Sequence, residues 1–401
     1  MRLQGLNNQR VRNFNKRVLC ALLYREKIAS KSTLAQLCQL SIPAVGKILD
    51  ELLAEKRVEH DAQNLHRRGL GGGSYRIAAS GQRILCLNVS PYLIESIVVD
   101  SMITPCSPFN QLAIIATTPQ ALLQEIVQIY HLHRQQQGCE LKIALSIHGQ
   151  VNPLTGVSQR MPQAPWEGPV EIKYLLEERL KTEVLLDNDC VMLALAEKWQ
   201  NAANVQDFCV INVDYGIGSS FVINQQIYRG SLFGSGQIGH TIVDPDGGIC
   251  SCGRYGCLET VASLSALKKK ARIQLKATLP LLPEGERLKT PSTAELIARY
   301  HQGDAALQVL VQRAAQAIGL SLYNFLNILN INRIYLYGRS CGFGEGWLQT
   351  IIGQTGFSPF DRHDQTQANA TSIGFGHLTR QQQVVGIGYL YAEQALAEMA
   401  W

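Results

Sequence analysis

The sequence lacks an apolar run of the roughly 18 residues that a membrane-spanning helix needs. Its first residues, MRLQGLNNQRVRNFNKRV, are basic but contain neither the apolar segment nor the cleavage site of a signal peptide. Low-complexity tracts and internal repeats of roughly 20–50 residues are also missing. These absences exclude membrane insertion and a repeat architecture, and we expect a cytoplasmic protein.

Charged residues are scarce, at 17% of 401 residues, whereas hydrophobic residues make up 46%. This balance predicts folded domains rather than disorder, and the length indicates two or three of them. The net charge of +5 is uneven, because residues 1–80 contain 14 Lys and Arg against 6 Asp and Glu, which gives +8 and leaves −3 for the rest. A small basic segment beside a nearly neutral body is typical of a polyanion-binding domain, although a solvated basic face has the same signature.

The eleven cysteines do not suggest a disulfide framework, because their number is odd and most are scattered. Cys86, Cys190 and Cys209 stand among aliphatic residues and are predicted to be buried thiols. The exception is a cluster with the spacing H-x9-C-x-C-x4-C, formed by His240, Cys250, Cys252 and Cys257. Three thiolates and one imidazole suit tetrahedral Zn²⁺, and four protein ligands leave no position for an activated water. We therefore predict a structural zinc site.

Residues 1–80 are predicted to form a winged helix-turn-helix domain. Helical spacing of apolar residues indicates three helices before residue 60, the second beginning near Ser30 or Ser32 and the third near Pro43. The segment KRVEHDAQNLHRRGLGGGSYRIA then has the pattern of a strand, a basic loop and a strand, as in a wing. The alternative is a helical module for protein interaction, followed by a flexible linker.

The third helix is expected to enter the major groove of DNA with its first half, and the wing is expected to reach phosphates or the minor groove. The helix is expected to expose Ser41, Ala44, Gly46 and Lys47 to the DNA, and the expected DNA-contacting residues of the wing are Arg67 and Arg68.

Residues 81–401 are predicted to form an α/β body. RILCLNV, LKIALSI and FCVINVDY indicate strands, whereas TPQALLQEIVQIYHLHRQQQ, ALQVLVQRAAQAIGLSLYNFLNILN and VVGIGYLYAEQALAEMA each predict one helix. Their mixed order predicts α/β lobes that include some antiparallel strands.

The stretch GQIGHTIVDPDGGICSCGRYGCLET resembles the signature of the ROK family, which comprises repressors, open reading frames and kinases. The resemblance covers nearly the whole chain. It implies a two-lobed, actin-like (ribonuclease H-like) sugar-kinase fold for residues 81–401, behind the helix-turn-helix of the family's repressor branch. That branch includes bacterial regulators responsive to xylose, N-acetylglucosamine and glucose.

The function implied by the resemblance is that of a sequence-specific regulator, a repressor of carbohydrate-metabolism genes. Its implied partners are a double-stranded DNA operator, a sugar or sugar-phosphate effector and further copies of the chain, as a homodimer or homotetramer. An even-numbered oligomer follows because a two-fold pair of recognition helices reads pseudo-palindromic half-sites.

The resemblance also implies a sugar pocket, formed in this sequence by Asn188, Asp189, Gln237, His240 and Glu259. In the family's kinases the equivalent of Asp189 is the catalytic base, which would be vestigial here; taken alone, Asp189 is equally a turn residue at a strand end. Gln237 replaces the Glu of the family's E-x-G-H, and His148 stands where the family usually has Pro. His240 would ligate zinc through one ring nitrogen and meet the sugar through the other.

The loops that bind nucleotide phosphates in the family's kinases are altered in this sequence. Asn88 replaces the Asp of D-x-G-G-T-K, and Ser90 and Pro91 replace glycines, although proline offers no N–H to a phosphate. Tyr215 interrupts G-T-G-x-G, and Arg339 takes the second position of a glycine pair. We therefore predict no kinase activity. The alternatives are a sugar kinase with a DNA-binding appendage and a regulator that responds to a protein partner.

Overall fold

The computed structural model describes residues 7–61, 73–161, 168–201, 205–278, 290–356 and 371–399. The chain divides into two compact units, which are Met1–Ala203 with Leu378–Trp401 (unit 1) and Asn204–His377 (unit 2). Both units combine helices with a five-stranded sheet, so the predicted α/β class is confirmed. The domain boundary between residues 80 and 81 stays a prediction. Within the described ranges, no helix combines the length and apolarity needed to cross a bilayer.

The first part of unit 1 has the architecture of a winged helix-turn-helix. Its helices are α1 (Asn8–Glu26), α2 (Lys31–Cys38) and α3 (Ile42–Ala54). Three short strands, β1 (Ala29–Ser30), β2 (Val58–His60) and β3 (Ser74–Ile77), form an antiparallel sheet in the order β1-β3-β2. Ser30 and Ser41 cap α2 and α3, because each hydroxyl accepts a hydrogen bond from the backbone N–H three residues later.

The five-stranded sheet of unit 1 has the order β10-β7-β4-β5-β6. Its strands are β4 (Arg83–Val89), β5 (Leu93–Asp100), β6 (Asn110–Ala113), β7 (Leu141–Ile147) and β10 (Val184–Asn188). The hairpin β8 (Gln150–Asn152) and β9 (Val157–Arg160) lies outside this sheet, and the helices are α4 (Pro119–Gln137), α5 (Ile172–Leu180) and α6 (Asp189–Gln200). Alternate residues of β4, β5 and β7 pack with α4 and α5 in one apolar core.

The sheet of unit 2 has the order β13-β12-β11-β14-β15. Its strands are β11 (Phe208–Val213), β12 (Ile217–Ile223), β13 (Gln226–Tyr228), β14 (Arg333–Tyr337) and β15 (Ser372–Phe375). The helices are α7 (Leu258–Ala262), α8 (Leu264–Thr278), α9 (Thr293–His301), α10 (Ala305–Leu329) and α11 (Glu345–Gly353). Helix α10 contributes the longest buried stripe to the core of this unit.

The chain returns to unit 1 with α12 (Arg380–Gly386) and α13 (Tyr389–Glu398). The prediction of one helix over VVGIGYLYAEQALAEMA was wrong, because the helix breaks beside two glycines, whose helix propensity is low. Both glycines lie in close contacts: a Cβ on Gly386 would be 2.1 Å from the Cβ of Ala196, and one on Gly388 would be 3.2 Å from the Cys86 thiol. The break therefore lets this segment pack closely on α6 and on the sheet.

Candidate functional site

Four of the six residues predicted to contact DNA lie at the cap and in the first half of α3, and two of these four are exposed. Lys47 and Ser41 are exposed and Ala44 is half-buried, with Ser41 also serving as the helix cap. Gly46, in contrast, is buried, and the Lys31 side chain lies over it: a Cβ on Gly46 would be 3.1 Å from the Lys31 ammonium nitrogen. The prediction that Gly46 is exposed was therefore wrong. Arg67 and Arg68 of the predicted wing lie outside the described residues.

Helix α1 is joined to α3 by ion pairs that the sequence patterns did not suggest. Arg12 pairs with Glu51 through two nitrogens, and Lys16 lies 2.9 Å from the same carboxylate and 2.5 Å from that of Glu55. Lys16 is almost buried, so its charge is less screened than that of a surface lysine. These pairs fix the orientation of the predicted recognition helix on α1.

Asn188 and Asp189 lie where β10 ends and α6 begins. The Asn188 side chain caps α6 by accepting from the backbone N–H of Cys190, at 2.8 Å, and its amide donates to the carbonyl of Gly149. One oxygen of Asp189 lies 2.7 Å from Nδ1 of His148, and both side chains are mostly buried. His148 therefore pairs with Asp189, a contact that the sequence patterns did not predict.

Asn88, which replaces an aspartate of the kinases, belongs to a buried polar network in unit 1. Its amide donates to Glu95 at 2.8 Å and its carbonyl oxygen accepts from the Ser146 hydroxyl at 2.7 Å. Glu95 is fully buried and is paired through both oxygens with the Arg380 guanidinium. Burial alone would raise the pKa of Glu95, but Arg380, Asn88 and Gln111 together hold it below its usual value. The side chains of Asn88 and Glu95 are thus hydrogen-bonded by other polar side chains of unit 1.

The four predicted metal ligands converge in unit 2, which confirms the predicted cluster. Their ligand atoms all lie within 4.8 Å of one another. Cys250 Sγ is 3.5 Å from Nδ1 of His240, and the thiols of Cys252 and Cys257 are 3.6 Å apart, too far for a disulfide bond. Zinc–sulfur bonds of about 2.3 Å and zinc–nitrogen bonds of about 2.0–2.1 Å place neighbouring tetrahedral ligands at about such separations. The donor set therefore fits Zn²⁺ in both chemistry and spacing.

Gly256 allows a close backbone approach to the segment 250–257, the cysteine loop, which carries the three cysteines of the cluster. Its φ is +69°, and a Cβ at this position would lie 1.6 Å from the carbonyl oxygen of Asp244. The backbone N–H groups of Val243 and Asp244 both donate to the carbonyl of Gly256. These two bonds hold the segment at 243–244 against the backbone of Gly256. The next residue, Cys257, is fully buried and precedes α7.

The remaining predicted sugar-binding residues of unit 2 flank this loop. Gln237 is exposed and immediately precedes the 3₁₀ turn Ile238–His240. Glu259 lies in the first turn of α7, and its carboxylate accepts from the backbone N–H of Ile217 at 3.2 Å. His240 directs Nδ1 toward Cys250, so that Nε2 is the second ring nitrogen. All three residues thus lie on or beside short elements that adjoin the cluster.

Tyr215 and Arg339, which alter the other two phosphate-binding loops of the kinases, contact each other in unit 2. The Arg339 guanidinium lies 4.2 Å from the Tyr215 ring centre and donates to the Tyr215 hydroxyl at 3.1 Å. The Arg339 guanidinium also pairs with Asp214 at 3.0 Å, and the Lys268 ammonium group lies 4.8 Å from the centre of the same Tyr215 ring. The side chains at the two positions where the sequence departs from the phosphate-binding pattern are therefore in direct contact with each other.

The model of the ROK family matches residues 110–355, which is more than half of the chain. This chain belongs to the ROK family. Escherichia coli K12 YphH is 60% identical over 395 residues, which covers 98% of this ROK chain and 99% of YphH. The xylose repressor of Caldicellulosiruptor bescii is 22% identical over 364 residues, covering 88% of this chain and 90% of the repressor.

A solved ROK structure has the same fold over almost the entire length of this chain. It is a ROK family transcriptional regulator described as a homologue of the E. coli MLC protein, and it aligns with a TM-score of 0.76 at 20% identity. The alignment covers 98% of both chains, so it includes the winged helix-turn-helix of this ROK protein as well as its α/β units.

Proposed function

We propose that this ROK protein is a cytoplasmic, DNA-binding regulator, a repressor of carbohydrate-metabolism genes. The observation that carries the proposal is the basic winged helix-turn-helix, whose residues 1–80 have a net charge of +8, in a chain with the ROK fold. The xylose repressor among its relatives supports the same function. A homodimer or homotetramer would present pairs of recognition helices to an operator with two half-sites.

In this proposal the first half of α3 enters the major groove. Lys47, with Ser41 and Ala44 beside it, would face the DNA, and Arg67 and Arg68 would contact its backbone or minor groove. Because Gly46 is buried in the free protein, we assign it a role in close packing against Lys31 rather than a base contact.

The effector would be a sugar or sugar phosphate. Its hydroxyl groups would be bound by Asn188 and Asp189 in unit 1, and the residues proposed for this role in unit 2 are Gln237, His240 and Glu259, since a sugar needs several polar side chains. The cap made by Asn188 and the pair formed by His148 and Asp189 support this assignment, because each fixes a polar group before a ligand arrives. Binding would change operator affinity, and linkage requires the operator to change effector affinity by the same factor.

We propose that the cluster of His240, Cys250, Cys252 and Cys257 holds one structural Zn²⁺. Bound there, the ion would supply a rigid cross-link, and the four protein ligands would leave no open position for catalysis. His240 and Glu259 would thereby be held in place for the effector. The prediction is one zinc per wild-type chain by elemental analysis, and its loss in Cys257→Ser but not in the control Cys139→Ser, a half-buried thiol outside the cluster.

A second candidate function, sugar phosphorylation, is favoured only by the retained Asp189. The buried network around Asn88 and the contact between Tyr215 and Arg339 support a chain without kinase activity. We therefore propose that Asp189 acts in effector binding alone.

DNA binding is tested by selecting duplexes from a random library with the zinc-loaded, full-length protein. The affinity for the selected duplex is then measured over a salt series. Lys47→Ala should weaken binding and reduce the salt slope by about 1, whereas Lys181→Ala, an exposed residue at the end of α5, should change neither. Equal slopes for Lys47→Ala and the wild type would refute the placement of α3.

Effector binding and kinase activity are tested together in a thermal-shift panel. The panel contains glucose, N-acetylglucosamine, xylose, their phosphates and ATP, because a bound ligand raises the melting temperature according to its concentration over Kd. A shift by one sugar that disappears in Asn188→Ala would support the sensor. A shift by ATP together with turnover of a sugar would support the kinase instead.

A further inference from the structure

Helix α6 connects the proposed effector site to the winged helix-turn-helix within unit 1. Its first turn carries Asn188 as the cap and Asp189 as the first residue, both held by the turn at 148–149. Its 12 residues extend about 18 Å at 1.5 Å per residue. The other end of the helix carries Trp199, next to the last residue, Gln200.

The body of α6 is packed on nearly every side. Nine of its 12 residues are buried, including the charged residue Glu197. Helix α12 approaches it so closely that Gly386 leaves no space for a methyl group beside Ala196. A helix enclosed in this way moves as a body, because interiors packed at this density do not absorb a displacement locally.

Trp199 connects α6 with α13 and with α1. Its ring stacks on Tyr389 of α13, with ring centres 5.0 Å apart and planes within 3°, and meets the edge of Tyr24 of α1 at 6.0 Å. Its indole N–H donates to Glu393 at 2.9 Å, and Lys198 pairs with the same carboxylate. Both the orientation and the depth of the ring are therefore fixed.

The end of α1 is fastened at the same place. The Lys27 ammonium group donates to the carbonyl of Met102 at 2.6 Å and to the hydroxyl of Tyr389 at 3.2 Å. Lys27 closes α1 with φ at +65°, so the backbone turns there toward α2. Nearer the start of α1, Arg12 forms an ion pair with Glu51 of α3, and Lys16 forms one with Glu55, the residue that follows α3.

We propose that α6 transmits the structural effect of effector binding to the winged helix-turn-helix, through the contacts of Trp199 with Tyr24 and Tyr389. The inference rests on the proposed function and states how it is regulated: an effector at Asn188 and Asp189 shifts α6, and Trp199 moves the end of α1 and with it α3. Every contact in this series lies within unit 1. The test measures the coupling between the two ends of α6 directly.

The first test requires neither operator nor sugar. Hydrogen exchange is compared by mass spectrometry in the zinc-loaded, full-length wild type, His148→Gln, Trp199→Leu and the double variant. His148→Gln removes the imidazole that holds Asp189 and should alter exchange at residues 188–193 and also at 16–27. In the Trp199→Leu background, the change at 188–193 should remain and the change at 16–27 should be lost.

Two further variants separate transmission from damage to the fold. Trp199→Phe keeps an aromatic ring against Tyr389 and should retain part of the change at 16–27. Tyr391→Phe alters the same helix, α13, but its hydroxyl bonds the carbonyls of Ile143 and Glu183, so it should retain the whole change. An undiminished change at 16–27 in Trp199→Leu, or a change confined to 188–193 in the wild-type background, would overturn the proposal.

The second test uses the selected duplex and any sugar of the panel that shifts the melting temperature. The ratio of operator Kd with and without that sugar should be about 5-fold or more in the wild type and close to 1 in Trp199→Leu, with sugar affinity retained. If no sugar shifts the protein, the effector assignment fails while the exchange test still decides on α6. If the ratio persists in Trp199→Leu, the sensor stands and the proposed route through Trp199 is wrong.

Discussion

Glu95 and Arg380 are 285 positions apart in the sequence and form a bidentate ion pair in unit 1. The carboxylate is fully buried, whereas the guanidinium is about half exposed. The amides of Asn88 and Gln111 provide further donors to the same carboxylate. Arg380 therefore anchors α12 to the strand that carries Glu95, and the pair compensates a charge that could not otherwise be buried.

Arg380→Met should destabilise the protein, because the Glu95 carboxylate keeps its burial and loses its countercharge. We expect a decrease of about 2–3 kcal/mol in the free energy of unfolding, below the full value for a deeply buried pair because Arg380 is half exposed. Urea unfolding measures it. Arg134→Met, which removes an exposed pair with Glu140, is the control and should cost less than about 1 kcal/mol. Equal losses would show that Glu95 is stable without Arg380.

The stability that Glu95 contributes should depend on pH in a defined direction. Its folded pKa lies below the ordinary value of 4.5, so the contribution is complete above that pH and is lost as the pH falls through the folded pKa. The difference in unfolding free energy between wild type and Glu95→Gln should therefore shrink on acidification and remain constant near neutrality. A difference that grows on acidification would contradict the pKa direction.

Gly256→Ala should disrupt the cysteine loop. The added Cβ would overlap the carbonyl oxygen of Asp244, and alanine also disfavours a φ of +69°. Gly253→Ala is a matched control, because Gly253 has a φ of +88° but no atom within 4 Å of the Cβ position. We expect zinc content and melting temperature to fall markedly in Gly256→Ala, and Gly253→Ala to lose only about 1–2 kcal/mol of stability while it retains the metal. Equal metal loss in both variants would assign the effect to φ alone.

Gly386→Ala should overpack the contact between α12 and α6. A methyl group there would lie 2.1 Å from the Ala196 Cβ, and we expect a loss of about 1–3 kcal/mol in the free energy of unfolding. Gly353→Ala, at the end of α11 with no atom within 4 Å, should be neutral or stabilising in the same urea titration. A neutral Gly386→Ala would mean that α6 and α12 separate easily.

Local sequence patterns were sufficient to predict the three helices of the winged helix-turn-helix and the metal cluster. The spacing of His240 and three cysteines identified the ligands because zinc coordination restricts ligand type and separation, and the structure brings all four together. Ser30 was one of two suggested caps for α2, and its hydroxyl makes the capping bond. These features depend on residues close in sequence, where a short segment determines its own geometry.

Contacts between distant segments could not be predicted in the same way. The stacking of Trp199 on Tyr389, the pairing of Glu95 with Arg380 and the burial of Gly46 under Lys31 all depend on how elements pack. His148 was noticed only as a departure from the family pattern, and the structure gives it a partner in Asp189. Helical periodicity likewise did not reveal the break between α12 and α13, because a pair of glycines within an apolar stretch is compatible with one helix or two.

The order of the segments along the chain has a consequence for biosynthesis. The ribosome completes the winged helix-turn-helix early, but Tyr389, which receives both Trp199 and Lys27, is made only after the 174 residues of unit 2. At about 5–20 residues per second, synthesis of that unit takes roughly 9–35 s. During this interval a nascent chain contains the winged helix-turn-helix but not α13, whose Tyr389 contacts Trp199 and Lys27. Chains interrupted within unit 2 would therefore carry a winged helix-turn-helix that lacks the contacts of Trp199 and Lys27 with Tyr389.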